Sequence, residues 1–325
     1  MTRHFCTKIE FDVTISRLPD MQEQSLARSP ERQKKKAYSY NPLAQPFLKW
    51  AGGKRQLIPI IKKYIPRKYT QYYEPFVGAG AVLFSLQPAK KSIVINDTNS
   101  ELINCYKTIR DNPEDLLNLC KQHERNNSKE YYYKLRGRDR QPGFEKLSSV
   151  ERAARIIYLN KTCFNGLFRV NSQGQFNVPY GDYANPVVAD PAVIKAVSTF
   201  LNQRSVTIDR GDFEDSVSKA KKGAFVYFDP PYHPISDTSS FTGYSINGFG
   251  EIEQKRLKSV CDELSDRGCH VLVSNSNAPF IRELYGDSRY EIVKVRASRS
   301  INSVGSKRGK IGELLIYNKY ECKAF

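Results

Sequence analysis

Apolar positions change their period along this chain, and the changes divide it into segments. Ile9, Phe11, Val13 and Ile15 alternate with polar residues, as a short strand would. Pro30, Asn41, Pro42 and the charge run Gln33-Lys34-Lys35-Lys36 break structure around them, so residues 1–42 are expected to form a flexible basic extension. From Phe47 the pattern becomes globular. Short apolar runs predict strands over 71–76 and 92–96, with a helix from Ala81 to Leu86 between them. Residues 99–164 read as mostly helical. Thr98 with Glu101 fits a capping box, Pro113 suits a first helical turn, and Ser149 fits a cap for a helix through Arg152, Arg155 and Leu159. Residues 165–186, rich in Gly, Asn and Tyr, predict a hairpin or an ordered loop. Strands are expected again at 205–209, 224–229, 270–274, 290–295 and 313–317, with a helix near 251–267. Strands alternating with helices at both ends predict an α/β sheet, and the helical middle predicts an inserted second domain.

Two of the predicted strands end in unusual chemistry. The apolar run Ala224–Phe228 leads straight into Asp229-Pro230-Pro231-Tyr232. Proline fixes φ and removes a donor, so Pro-Pro at the end of a buried strand asks for a reason. Such a turn aims the Asp229 carboxylate and the Pro230 carbonyl at one point, with a ring beside them. That set suits a flat heterocycle with an exocyclic amino group, such as adenine. Upstream, Glu74-Pro75-Phe76-Val77-Gly78-Ala79-Gly80 places glycines for a tight turn before the helix at Ala81. It is neither GxGxxG nor a Walker motif. Asp97, closing the next strand, can accept hydrogen bonds from ribose hydroxyls, or it can simply cap a helix. Earlier, Phe47-Leu48-Lys49-Trp50-Ala51-Gly52-Gly53-Lys54 holds the single tryptophan, and Lys54 can reach a carboxylate. Together these features favour a nucleoside cofactor.

Composition narrows the partner. With 325 residues and 40% hydrophobic residues the chain can build a sizeable core. Its 51 Lys+Arg against 34 Asp+Glu give a net charge of +17, which suits a polyanion. No apolar run approaches the ~18 residues of a membrane span, and no signal peptide is evident. Seven scattered cysteines without a CxxC pair and four separated histidines argue against a disulfide framework and against a metal site. His233, directly after the Asp-Pro-Pro-Tyr turn, reads as a rim residue.

FLKWAGGK, EPFVGAG, Asn96-Asp97 and DPPY, in this order, resemble the DNA adenine-N6 methyltransferase family of the Dam type, over roughly residues 44–320. Asn165-Gly-Leu-Phe-Arg-Val-Asn171 and Gln175-Phe-Asn-Val-Pro-Tyr-Gly181 resemble that family's target-recognition segment. The resemblance implies a Rossmann-like methyltransferase sheet with an inserted, mostly helical recognition domain. It assigns residues 43–110 and 187–325 to the catalytic domain and 111–186 to recognition. It implies S-adenosyl-L-methionine as cofactor, held by Trp50, Lys54, Glu74, Phe76, Gly78, Gly80, Asp97 and Asp229. It further implies catalysis by Asp229, Pro230, Pro231 and Tyr232 on an adenine flipped out of duplex DNA. Tyr232 would stack on that base, and no covalent intermediate is needed. The chain has no Pro-Cys dipeptide, which speaks against a cytosine-C5 thiolate mechanism.

By the same resemblance the target is GATC. Lys49 approaches the first base pair, Phe164 with Asn165 takes the base-flipping position, Leu167 with Pro179 contacts thymine, and Arg169 reads guanine. Asp182 stands where relatives often carry a basic residue, which predicts relaxed reading of the third base. Arg152, Arg155 and Lys161 are expected to serve phosphates, and Phe176 to belong to the core. Arg296, Arg299, Lys307, Arg308 and Lys310 around a Ser/Gly-rich stretch predict either a solvated loop or a phosphate-binding hairpin. A monomeric, cytoplasmic, nucleoid-associated protein of prokaryotic or phage kind follows. The rivals are an RNA adenine methyltransferase and a non-catalytic DNA-binding protein on an inactivated enzyme scaffold.

Overall fold

A computed structural model describes residues 40–50, 54–88, 91–203, 205–235, 248–298 and 310–323. The expected N-terminal extension, the Gly52-Gly53 pair and most of the basic Ser/Gly-rich stretch lie outside these residues.

Seven strands form one sheet: β1 Gln71–Glu74, β2 Ser92–Asp97, β3 Val206–Arg210, β4 Phe225–Phe228, β5 His270–Ser276, β6 Glu291–Ser298 and β7 Lys310–Tyr317. Their order is β3-β2-β1-β4-β5-β7-β6. The first five run parallel, and β7 runs antiparallel between β5 and β6. This is the expected α/β class. Every residue of β4 is buried, as a central parallel strand covered on both faces requires. Alternation then sorts the side chains. Tyr72, Ile93, Phe225 and Tyr227 enter one core, while Tyr73, Val226, Phe228 and Val273 enter the other. Chain order reverses between β1 and β4, which makes the carboxyl ends of these two strands the switch point where α/β sheets take ligands.

The first core is covered by α3 (Ser100–Asp111), α4 (Pro113–Arg125), α6 (Ser149–Thr162) and α7 (Pro191–Gln203). α1 (Ile58–Ile61), α2 (Ala81–Leu86) and α5 (Lys129–Arg136) are shorter. The second core is covered by α8 (Phe213–Val217), α9 (Glu251–Asp266) and α10 (Pro279–Leu284). Pro113 opens α4 as expected. Two caps are displaced by one residue from the sequence expectation. Asn99 caps α3 through Leu102 N at 3.0 Å, because the Asp97 carboxylate already holds Asn99 N at 3.0 Å. Ser148 caps α6, with Glu151 completing a capping box.

Residues 165–186 form an ordered excursion. Two isolated bridges, Cys163↔Tyr180 and Val170↔Phe176, close it without forming a continuous ladder. Phe176 and Val178 point inward and are 1% exposed, while Asn177 and Pro179 lie further out. Cys105, Cys120, Cys163, Cys261, Cys269 and Cys322 are buried free thiols. Among the described residues no helix is long and apolar enough to cross a membrane, and no cluster of His, Cys, Asp or Glu could hold a metal ion.

Candidate active site

At the switch point β4 delivers Asp229. Its carboxylate pairs with Lys54 Nζ at 2.9 Å, and this ammonium also sits 4.5 Å from the centre of the Tyr232 ring. Burial raises the Asp229 carboxyl to about 6, with Lys54 opposing and Glu313 adding to the rise. Glu74, at the end of β1, is 2% exposed and accepts the Tyr72 hydroxyl at 2.6 Å. Burial first, and then the Asp229 charge, push it to about 8 against the Tyr72 hydrogen bond. The two carboxyls thus act on each other, with Lys54 paired to Asp229.

The backbone after Asp229 is held from behind by polar side chains. Gln254 Nε2 of α9 donates to the Pro231 carbonyl at 3.0 Å, and Gln254 itself accepts from Asn275 Nδ2 at 3.0 Å. His233 N donates to Asn275 Oδ1 at 3.2 Å, and Ser276 Oγ donates to the His233 carbonyl at 2.6 Å. Gln254 and Asn275 are fully buried, so the turn is fixed by groups that have no competing water. The Pro230 carbonyl receives no hydrogen bond among the described residues. His233 is half-buried with its ring against Phe280, 4.7 Å between centroids.

The cofactor candidates gather around the β1 and β2 ends. Gly78 (φ +48) donates its amide to Asp97 Oδ2 at 3.1 Å, and its carbonyl accepts the Tyr106 hydroxyl at 3.0 Å. A Cβ on Gly78 would stand 3.0 Å from Trp50 Cδ1, so the indole lies directly on this turn. Gly80 (φ +73) is buried, and a Cβ there would stand 2.6 Å from the Tyr106 hydroxyl oxygen. Its glycine is therefore required by the helix packing behind the turn, rather than by an open face. Phe76 stacks on Phe213 at 5.4 Å between centroids and meets Phe249 edge-on at 5.6 Å. Phe213 and its neighbour Asp212, the cap of α8, reach the same rim from β3. Sequence reading passed over them, although Gly-Asp-Phe immediately after a strand was the available signal.

The recognition candidates lie on and beside the excursion. Phe164 is 51% exposed, Asn165 has φ +56, and Leu167 is half-buried. Pro179 is exposed, and its carbonyl accepts Phe164 N at 2.9 Å. Arg169 is exposed, with Nε donating to Asn177 Oδ1 at 2.7 Å. Lys49 is exposed and lies 5.2 Å from the Tyr183 ring centre. Asp182 is exposed at φ +54. Trp50 stacks on Phe168 at 4.7 Å, so the same indole touches both the Gly78 turn and the excursion. Buried Asn160, unnoticed in sequence, reinforces that junction. Its amide accepts Lys49 N at 2.8 Å and donates to the Lys49 carbonyl at 2.8 Å and to the Gly166 carbonyl at 3.2 Å.

One expected phosphate contact, Arg155, is corrected. Arg155 is 2% exposed and is spent internally: Nη2 on Asp139 at 2.7 Å, Nε on the Leu135 carbonyl at 2.9 Å. Arg152 is bound to Glu101 on α3, with Nε 3.1 Å from Oε1. Arg155 sits on the inner face of α6, which a linear charge count does not distinguish from the outer one, and Arg152 lies at its partly exposed edge. Lys161 is half-buried, and burial, followed by the nearby Lys49 and Arg55 charges, lowers its pKa. Of the basic stretch, Arg299, Lys307 and Arg308 fall outside the described residues. The strands beside it are paired up to Ser298↔Lys310.

Comparison with known proteins supplies the class. Residues 50–301 match the D12 class N6 adenine-specific DNA methyltransferase family. A type II methyltransferase of Lactococcus lactis subsp. cremoris, M1.LlaDCHI, is 51% identical over 274 residues, covering 84% of this chain and 95% of that protein. The type II methyltransferase M.MjaIII of Methanocaldococcus jannaschii is 42% identical over 290 residues, covering 84% and 99%. The DNA adenine methylase of Escherichia coli K12 is 35% identical over 280 residues, covering 84% and 95%.

Proposed function

The chain belongs to the D12 class N6 adenine-specific DNA methyltransferases, and from that premise we propose which residues carry the reaction and which site is methylated. The observation that supports the reading best is the Asp229 turn at the β1/β4 switch point. It combines a carboxylate, a Pro230 carbonyl without a protein donor among the described residues, and the Tyr232 ring.

Adenine N6 is a poor nucleophile because its lone pair is delocalised into the ring. Asp229 and the Pro230 carbonyl accept hydrogen bonds from the two N6 protons of a flipped adenine and favour a pyramidal nitrogen. Tyr232 stacks on the base. S-adenosyl-L-methionine supplies, when bound, a methyl group on an electrophilic sulfonium. The donor set fits that cofactor: Asp97 presents a carboxylate to hydroxyl groups, Trp50 and Phe76 present ring faces, and Lys54 presents a cation. The chain's contribution is positioning and electrostatics, with no covalent step on the protein. Residues 43–110 and 187–325 then make the catalytic domain, and 111–186 the recognition domain.

Asp229 must be ionised to accept from N6. With its carboxyl raised to about 6, the competent form is present above that pH and is lost as pH falls through it. The acid limb of the kcat/KM profile, which reports the free enzyme, is expected near pH 6. A limb near the ordinary carboxylate value of ~4 would separate catalysis from this group.

The proposed target is adenine in duplex GATC, with Lys49, Phe164, Asn165, Leu167, Arg169 and Pro179 along the DNA. Asn177 orients Arg169, which suits a guanidinium aimed at guanine O6 and N7. Arg169→Ala is expected to cost about 1–3 kcal/mol of discrimination at that base. The test is to sequence methylated adenines on a plasmid exposed to the enzyme and S-adenosyl-L-methionine. Methylation concentrated at an unrelated motif refutes the GATC reading.

A further inference from the structure

We propose that Glu313, on the antiparallel strand β7, is a positioning residue that fixes the ring of Tyr232. The inference rests on the reading of Tyr232 as the surface for the target base. The Tyr232 hydroxyl donates to Glu313 Oε2 at 2.8 Å, across 81 residues of sequence. Both side chains are half-buried. The backbone around Tyr232 is already clamped by Gln254, Asn275 and Ser276, so main-chain placement does not need Glu313. What those clamps leave open is the tilt of the ring about its side-chain torsions, and a bond at the hydroxyl end closes that freedom. β7 can reach this point because it is inserted between β5 and β6, with Glu313 in register with Ser276 on one side and Val295 on the other.

A carboxylate is a costly choice here. Asp229 is faced by Lys54, Glu74, Tyr227, Tyr232 and Glu313, and the charge of Glu313 adds to the rise of the Asp229 carboxyl. A residue serving only to fill the sheet would do better neutral. A charged acceptor makes the shorter and stronger bond to a phenol, which is what orientation of a stacking ring demands.

The test compares Glu313→Ala, Glu313→Gln, Tyr232→Phe and the double variant Glu313→Ala/Tyr232→Phe in the full chain. Glu313→Ala should lower kcat by about 10- to 100-fold, the effect expected of a misplaced reacting base. Its affinity for S-adenosylhomocysteine, read by calorimetry, should be unchanged. Tyr232→Phe keeps the ring and loses the anchor, so it should match Glu313→Ala. The double variant should then be no worse than either single one. Glu313→Gln keeps an acceptor oxygen and removes a charge beside Asp229. It should recover most of kcat and move the acid limb of kcat/KM to lower pH. Wild-type kcat in Glu313→Ala, or additive losses in the double variant, overturns the proposal. Asp229→Ala separates the two levels. If it is inactive while Glu313→Ala is normal, only the positioning role fails. If Asp229→Ala is active, the reading of the site fails.

Discussion

Asp229→Ala is expected to abolish methyl transfer, with kcat lowered by at least about 10³-fold, while affinity for DNA stays close to wild type. The substitution removes one of the two acceptors proposed to polarise N6, and losing a preorganised electrostatic group costs about 10²–10³ on its own. It also removes the carboxylate that pairs with Lys54, whose ammonium lies 4.5 Å from the centre of the Tyr232 ring, where the base is proposed to stack. The second effect compounds the first. In the proposed reading DNA affinity is carried elsewhere, by exposed basic groups such as Lys49 and, on the excursion, Arg169, and these are untouched. The measurement is single-turnover methyl transfer together with a binding isotherm on the same duplex, using protein that melts cooperatively. Wild-type turnover in that preparation rules out the assigned mechanism.

Arg155→Ala should cost about 3 kcal/mol of folding stability and leave the salt dependence of DNA binding unaltered, because removing one member of a buried ion pair strands the other. Arg155 anchors Asp139, and it also donates to the Leu135 and Arg136 carbonyls at 2.9 and 2.8 Å. Asp139 in turn accepts Phe176 N at 2.9 Å. The pair therefore braces the excursion that carries Arg169, and its loss should loosen recognition only through the fold. Arg140 also contacts Asp139, which softens the loss without replacing the two carbonyl bonds. Urea denaturation measures the stability, and the slope of log K against log salt measures the phosphate contacts. Unchanged stability with a shallower slope would return Arg155 to the DNA surface.

The contrast between these two residues shows how far the sequence reaches. Asp229 was legible because its chemistry is local. An apolar run forces a buried strand, Pro-Pro ends it, and the carboxylate must emerge there. Gly78 was legible for the same reason, since a tight turn at the end of a strand needs a residue that tolerates φ +48. The α/β class and the helical middle followed from the hydrophobic period together with cap and turn signals. Arg155 was misread because a basic residue in a basic protein looks the same in sequence whether it faces solvent or an Asp139 on a neighbouring segment. Which face of α6 turns inward is settled by α3 and α4 packing on it, over separations no local window contains.

The same limit governs the site. By itself the sequence determined the class of chemistry: the strand-end motifs in their order carry the resemblance to adenine-N6 DNA methyltransferases, and the basic charge agrees with it. Only the tertiary structure decided how the motifs meet. It placed Trp50 between the Gly78 turn and Phe168, paired Lys54 with Asp229, hooked Lys49 to Asn160, and brought Glu313 to Tyr232. Motifs are written by backbone conformation and solvent exclusion within a few residues, so they survive in one dimension. Partnerships such as Tyr232 with Glu313 depend on strand order, and the insertion of β7 between β5 and β6 is a property of the closed sheet, not of any segment in it.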